Sequence, residues 1–190
     1  MNEPWQESHA WADQFTPHIK MLLGLACIQI APLDEDRIHN TDLMFAVGAQ
    51  RFPVRVRRLS QRLAFNRRNE ITFRFARRSG METEFTKMLC GWGDCFLYGW
   101  GNEMTQRLEA YSVIDLHQFR FWYTETVCQT GKRPGGEQRD RDGSASFLAF
   151  CLDCLPPCVI THRMTLLAHD PTITDLHWRQ AHDPTSRKSA

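Results

Sequence analysis

Long hydrophobic runs are largely missing from this 190-residue chain. The apolar stretch from Met21 to Ala31 is too short to cross a bilayer. The first 20 residues are polar, aromatic and acidic, without the apolar segment a secretory signal needs. Neither a membrane protein nor an exported one is expected. The seven cysteines are an odd number, and Cys27, Cys90 and Cys95 fall inside apolar patterns, which reads as reduced thiols in the cytoplasm. The chain also lacks GxGxxG, a lysine-bearing phosphate loop and HExxH, so dinucleotide, P-loop and zincin chemistry have no support. Lysine is absent from the whole stretch between Arg51 and Arg78.

That stretch holds ten arginines and a single acid, Glu70, so it carries a net charge of +9 in a chain of net charge +1. The remainder is therefore acidic, and a charge block of this kind marks an interaction face. Arginine in place of lysine suits bidentate contact with phosphate or carboxylate, although strand arginines can also stand solvated. Hydrophobic content of 42% is enough for a core, so residues 1–168 read as one domain. Residues 169–190 read as a polar tail in which His-Asp-Pro-Thr occurs twice, at 169–172 and 182–185.

Apolar spacing predicts a helix over 8–24, with Pro17 kinking it or starting a second one. A short strand is expected at 25–31. Asp42 to Val47 and Phe52 to Arg58 read as a hairpin around Gly48-Ala49-Gln50, valines inward and arginines outward. Ile71, Phe73 and Phe75 alternate with Thr72, Arg74 and Ala76 in a strand over 70–77. A short helix over 81–90 ends at Gly91; strands follow at 95–100 and 110–115, then a helix at 116–128. Residues 129–146 read as an exposed loop, followed by strands at 146–152 and 158–167. This order implies an α/β or α+β layer fold with a mixed central sheet flanked by helices.

Five groups of residues could carry chemistry or binding. Asp42 opens a strand, while Glu84 and Lys87 lie one turn apart on the short helix, a kit suited to metal-assisted phosphodiester cleavage with Mg²⁺ or Mn²⁺ held by Asp42 and Glu84. The plainer alternative is an exposed Glu84–Lys87 pair with Asp42 as a turn residue. Arg55, Arg57, Arg58 and Arg74 would hold nucleic acid. Cys151, Cys154, Cys158 and His162 form a possible zinc set, but it is cramped within 12 residues, and small buried thiols with an exposed Cys158 fit the pattern better. Cys95, in an aromatic strand, reads as core rather than as a nucleophile. Trp92, Phe96 and Trp100 could stack on bases, or could pack the sheet against helix 8–24.

The element order resembles the core of the PD-(D/E)XK nuclease superfamily, which implies a restriction-endonuclease-like fold and a metal-dependent nuclease. Such a site places acid-x-Lys on the strand after its aspartate. This chain has Arg55-Val56-Arg57 there, and Thr72 where Glu70 would want a lysine, so only Lys87 could supply the base and the site is rearranged or degenerate. Separately, Thr41-Asp42-Leu43, Arg55-Val56-Arg57-Arg58, Ser79-Gly80…Thr83-Glu84…Lys87, Gly91-Trp92-Gly93-Asp94 with Tyr98-Gly99, Ile114-Asp115-Leu116…Phe119-Arg120 and Asp142-Gly143…Phe147-Leu148-Ala149-Phe150 resemble a family of uncharacterised proteins encoded by bacteriophages and prophages. That likeness spans roughly residues 40–150 and implies a protein acting in the cytoplasm of a bacterial host. Three functions are therefore expected in competition: a metal-dependent nuclease, a nucleic-acid-binding protein without catalysis, and a phage accessory protein that binds a host or viral protein.

Overall fold

The computed structural model describes residues 10–24, 28–32, 34–35, 38, 42–45, 50–59, 69–140 and 142–164. The expected turn at 48–49 and the tail 169–190 lie outside them. Among the described residues lie three sheets and three α-helices of six or more residues, a mixed α and β architecture. β1 (Ile28–Ile30), β2 (Leu43–Phe45) and β3 (Arg51–Phe52) form an antiparallel sheet in that order. A four-stranded sheet runs β10 (Ile160–Met164), β7 (Arg107–Asp115), β6 (Cys95–Asn102), β4 (Val54–Arg58). It is mixed, because β4 runs parallel to β6 while its other pairs are antiparallel. β5 (Glu70–Arg77), β9 (Ala145–Cys151) and β8 (Gly136–Arg139) form the third sheet, also antiparallel.

The expected hairpin 42–58 is divided at Pro53. Leu43 pairs with Phe52, but Val54 pairs with Leu97 of β6. Proline has no N–H to give a ladder, so the chain can change partners there at little cost. Residues 129–146, expected as loop, contain β8. Its alternating partial exposure comes from polar side chains, which carry no apolar period to read, and its partner β9 supplies the apolar residues.

The central strands β6 and β7 are buried on both faces over residues 96–101 and 110–114, which is why those stretches are largely apolar. Phe96, Tyr98 and Trp100 enter one core with Ile71 and Phe73 of β5, Phe85 of α2 (Glu84–Leu89) and Phe119 of α3 (Leu116–Thr130). Leu97, Val113 and Val56 enter a second core with Phe15, Trp11 and Ile19, the last on α1 (Thr16–Leu23). Pro17 lies in the first turn of α1, where its missing N–H has no partner to lose. Gly101 makes room for the second core: a Cβ there would sit 2.3 Å from Phe15 Cζ. α2 is capped by Thr83. α3 is capped by Asp115, whose Oδ1 accepts from His117 N (2.8 Å) and Gln118 N (3.0 Å). No described helix is long and apolar enough to cross a membrane.

Candidate functional site

Alternation along β4 places Val54 and Val56 toward the α1 core and Arg55 and Arg57 on the other face. Arg58 therefore shares the Val56 side. Its guanidinium lies 4.0 Å above the Trp11 ring and 3.4 Å from Glu103, which separates it from the other three arginines expected to bind. Arg55 and Arg57 do not point outward as the alternation suggested. Arg55 retains only 17% of its side-chain exposure.

Both reach across to β5, the edge strand of its sheet, whose free backbone groups need partners. Arg55 Nη1 donates to the Thr72 carbonyl at 3.5 Å. Arg57 Nη2 donates to Thr72 Oγ1 at 3.4 Å, and that hydroxyl also bonds the Tyr98 phenol at 3.1 Å. Glu84, at the start of α2, completes the edge. Its Oε2 accepts from the backbone N–H of Arg74 at 3.3 Å and from Arg55 Nη2 at 2.5 Å. Glu84 and Arg55 thus clamp the strand edge between them, and each compensates the other's charge.

Arg74 rests on Phe147, which also underlies Arg57; the two guanidinium carbons lie 5.5 and 5.8 Å from the ring centroid. Arg74 Nε is buried without a hydrogen-bond partner. Burial lowers the Arg74 pKa, the like charges of Arg55, Arg77 and Arg57 lower it further, and Glu84 alone raises it. Four guanidinium groups thus act on one another around one carboxylate.

Glu84 and Lys87 line a narrow cleft, with room for little more than a water molecule, together with Pro53, Met88, Trp92 and Leu116. Asp42 does not line it. Its Oδ2 accepts from Val54 N at 2.5 Å while its own N–H bonds the Phe52 carbonyl, so it braces the β3–β4 junction across Pro53. Glu84 Oε2 faces Arg55, and Asp42 stands apart from the cleft that Glu84 and Lys87 line. Among the described residues no three His, Cys, Asp or Glu side chains gather as a metal group.

Gly91 and Gly93 adopt positive φ, +102° and +78°, and Phe96 and Trp100 belong to the core that includes α3 rather than to the one that includes helix 8–24. Tyr98 lies inside β6. Asp94 bonds Arg51 N through Oδ2 (2.7 Å) and His117 Nε2 through Oδ1 (3.1 Å), and Arg120 donates to His117 Nδ1 (3.1 Å), bracing that turn against α3. The Cys95 thiol is pushed up to about 11 by burial and by Asp115 and Asp94, the opposite of an activated nucleophile. Cys151 is likewise raised to about 11, first by burial and then by its hydrogen bond with Cys154. Cys154 and Cys158 are exposed, and His162 stacks on Tyr111 with centroids 5.5 Å apart.

Sequence reasoning missed Phe147 and Arg77. An aromatic residue inside an apolar strand carries no sign that it floors a charged cluster, and strict alternation assigns Arg77 to the face opposite Arg74. No family model, curated protein or solved structure matches the chain.

Proposed function

We propose that the protein binds nucleic acid through its phosphate backbone, along the row Arg55, Arg57, Arg74 and Arg77. The observation that carries this is the Arg74 guanidinium, half-buried among three like charges, with its Nε buried and unpartnered and Glu84 offsetting the group. A buried cation without a counter-charge costs free energy, and the fold supplies one acid where the cluster could use more. Phosphates supply both the charge and the acceptor oxygens, and planar guanidinium forks match them. Four such groups spread over two strands suit a repeating anion better than a single one.

Fluorescence anisotropy with single-stranded and duplex DNA and RNA tests this directly. Binding that weakens about tenfold in Arg57→Gln and in Arg74→Met is expected, the size of one charge-assisted contact. No binding by any nucleic acid at low salt would sink the proposal and leave the row to a protein partner bearing carboxylates. The same preparation is incubated with supercoiled plasmid and Mg²⁺ or Mn²⁺. Nicking lost in both Glu84→Gln and Lys87→Ala would turn the binding protein into a metal-dependent phosphodiesterase, the activity implied by a restriction-endonuclease-like core.

A further inference from the structure

β5 does not keep its alternation to the end. Arg74 stands opposite Phe147, but Ala76 stands opposite Ser146 and Arg77 opposite Ala145, so Phe75 is an extra residue in the ladder. Residues paired across a ladder share a face. The bulge therefore returns Arg77 to the face of Arg74 and Phe147, and bulges serve to re-aim side chains in this way. Just beyond, Gly80 N donates to the Arg77 carbonyl at 3.0 Å and closes a turn. Arg78 N donates to the Ser144 carbonyl at 2.9 Å, which ties that turn to the β8–β9 hairpin.

Between the two turns lies a broad, open concavity lined by Arg74, Arg77, Arg78, Ser79, Asp140 and Ser144. Its hydrogen-bonding capacity is unevenly used. Ser144 Oγ donates to Asp140 at 3.3 Å. Ser79 Oγ accepts from Met81 N at 3.4 Å and keeps its proton to donate. Among the described residues, no ion pair engages Arg77 or Arg78. Three guanidinium groups against one carboxylate leave two positive charges in excess.

We propose that this concavity receives the terminal phosphate of a nucleic-acid strand, so that the protein recognises strand ends. This rests on the nucleic-acid reading above and adds to it where the strand terminates. The arginine row leads into the concavity, and Asp140 and Ser144 wall its far side. A phosphodiester brings one charge, whereas a phosphomonoester brings nearly two near neutral pH and three terminal oxygens, matching the excess and the forks.

The test is anisotropy on the full chain with one oligonucleotide in four forms: a 5′-phosphate, a 3′-phosphate, hydroxyls at both ends, and a closed circle. One phosphorylated end is expected to bind about tenfold tighter than the hydroxyl form, equivalent to one charge-assisted contact. That preference is expected to vanish in Arg77→Gln and in Arg78→Gln, and millimolar inorganic phosphate is expected to erase it in the unaltered protein. Equal affinity for all four forms, or a preference that survives both substitutions, overturns end recognition and leaves backbone binding standing. No binding of any form overturns the nucleic-acid reading itself.

Discussion

Arg74 sits where a cation is costly to the fold: its Nε is buried without a partner, and three arginines act on it against one acid. A methionine of similar length keeps the packing over Phe147 and removes the charge. Arg74→Met is therefore expected to leave stability unchanged or raise it by about 1 kcal/mol in urea denaturation. The same substitution weakens nucleic-acid binding. A large loss of stability would instead give Arg74 a structural role. Glu84 behaves in the opposite sense. Its carboxylate holds the Arg74 N–H and Arg55 Nη2, and its side chain is only 10% exposed. Glu84→Gln leaves Arg55 uncompensated and should cost about 2–3 kcal/mol, read from the urea midpoint. Both residue types were visible in the sequence. Their pairing was not, because Arg55 and Glu84 lie 29 positions apart and meet only across the edge of β5.

At the scale of elements, close approach of α1 and its preceding turn to the four-stranded sheet depends on Gly101, whose missing Cβ leaves space for the fully buried ring of Phe15. Gly101→Ala is expected to cost about 2–4 kcal/mol and to lower the thermal midpoint, since a packed aromatic ring cannot move aside without strain. An unchanged midpoint would mean that α1 packs less tightly than described. β5 was legible from the alternation of Ile71, Phe73 and Phe75 with Thr72, Arg74 and Ala76, β6 and β7 from short apolar runs, and α3 from Phe119, Trp122 and Tyr123 at helical spacing. The division of 42–58 into two sheets was not, because Pro53 marks a break without naming the new partner. β8 was hidden by polar composition, and the bulge at Phe75 by a sequence that alternates through it. That one extra residue decides which face Arg77 joins.

For the molecule as a whole, α1 is also fastened through His18, whose Nδ1 accepts from Leu108 N at 2.9 Å and must be unprotonated to do so. Burial lowers its pKa below 6.5, Arg107 lowers it further, and Glu109 raises it. The unfolded chain, with histidine near 6.5, therefore takes up a proton first on acidification. The contribution of this contact is present above pH 6.5 and is lost as pH falls through the lower folded value. Urea midpoints at pH 7 and pH 5 should differ more in the unaltered protein than in His18→Gln, and equal differences would remove the histidine from the explanation. The charge asymmetry was the clearest large-scale signal in the sequence, and three of the four arginines expected to bind do gather: Arg55, Arg57 and Arg74. Asp42 and Arg58 went elsewhere, because a turn brace and the far face of β4 claimed them.

The most direct measurement is the salt dependence of oligonucleotide affinity. Four guanidinium contacts to phosphate predict a plot of log K against log salt with a slope of about −3, reduced by roughly one in Arg57→Gln. A flat plot, or a slope that neither substitution on β4 nor Arg74→Met changes, would contradict nucleic-acid binding by the arginine row.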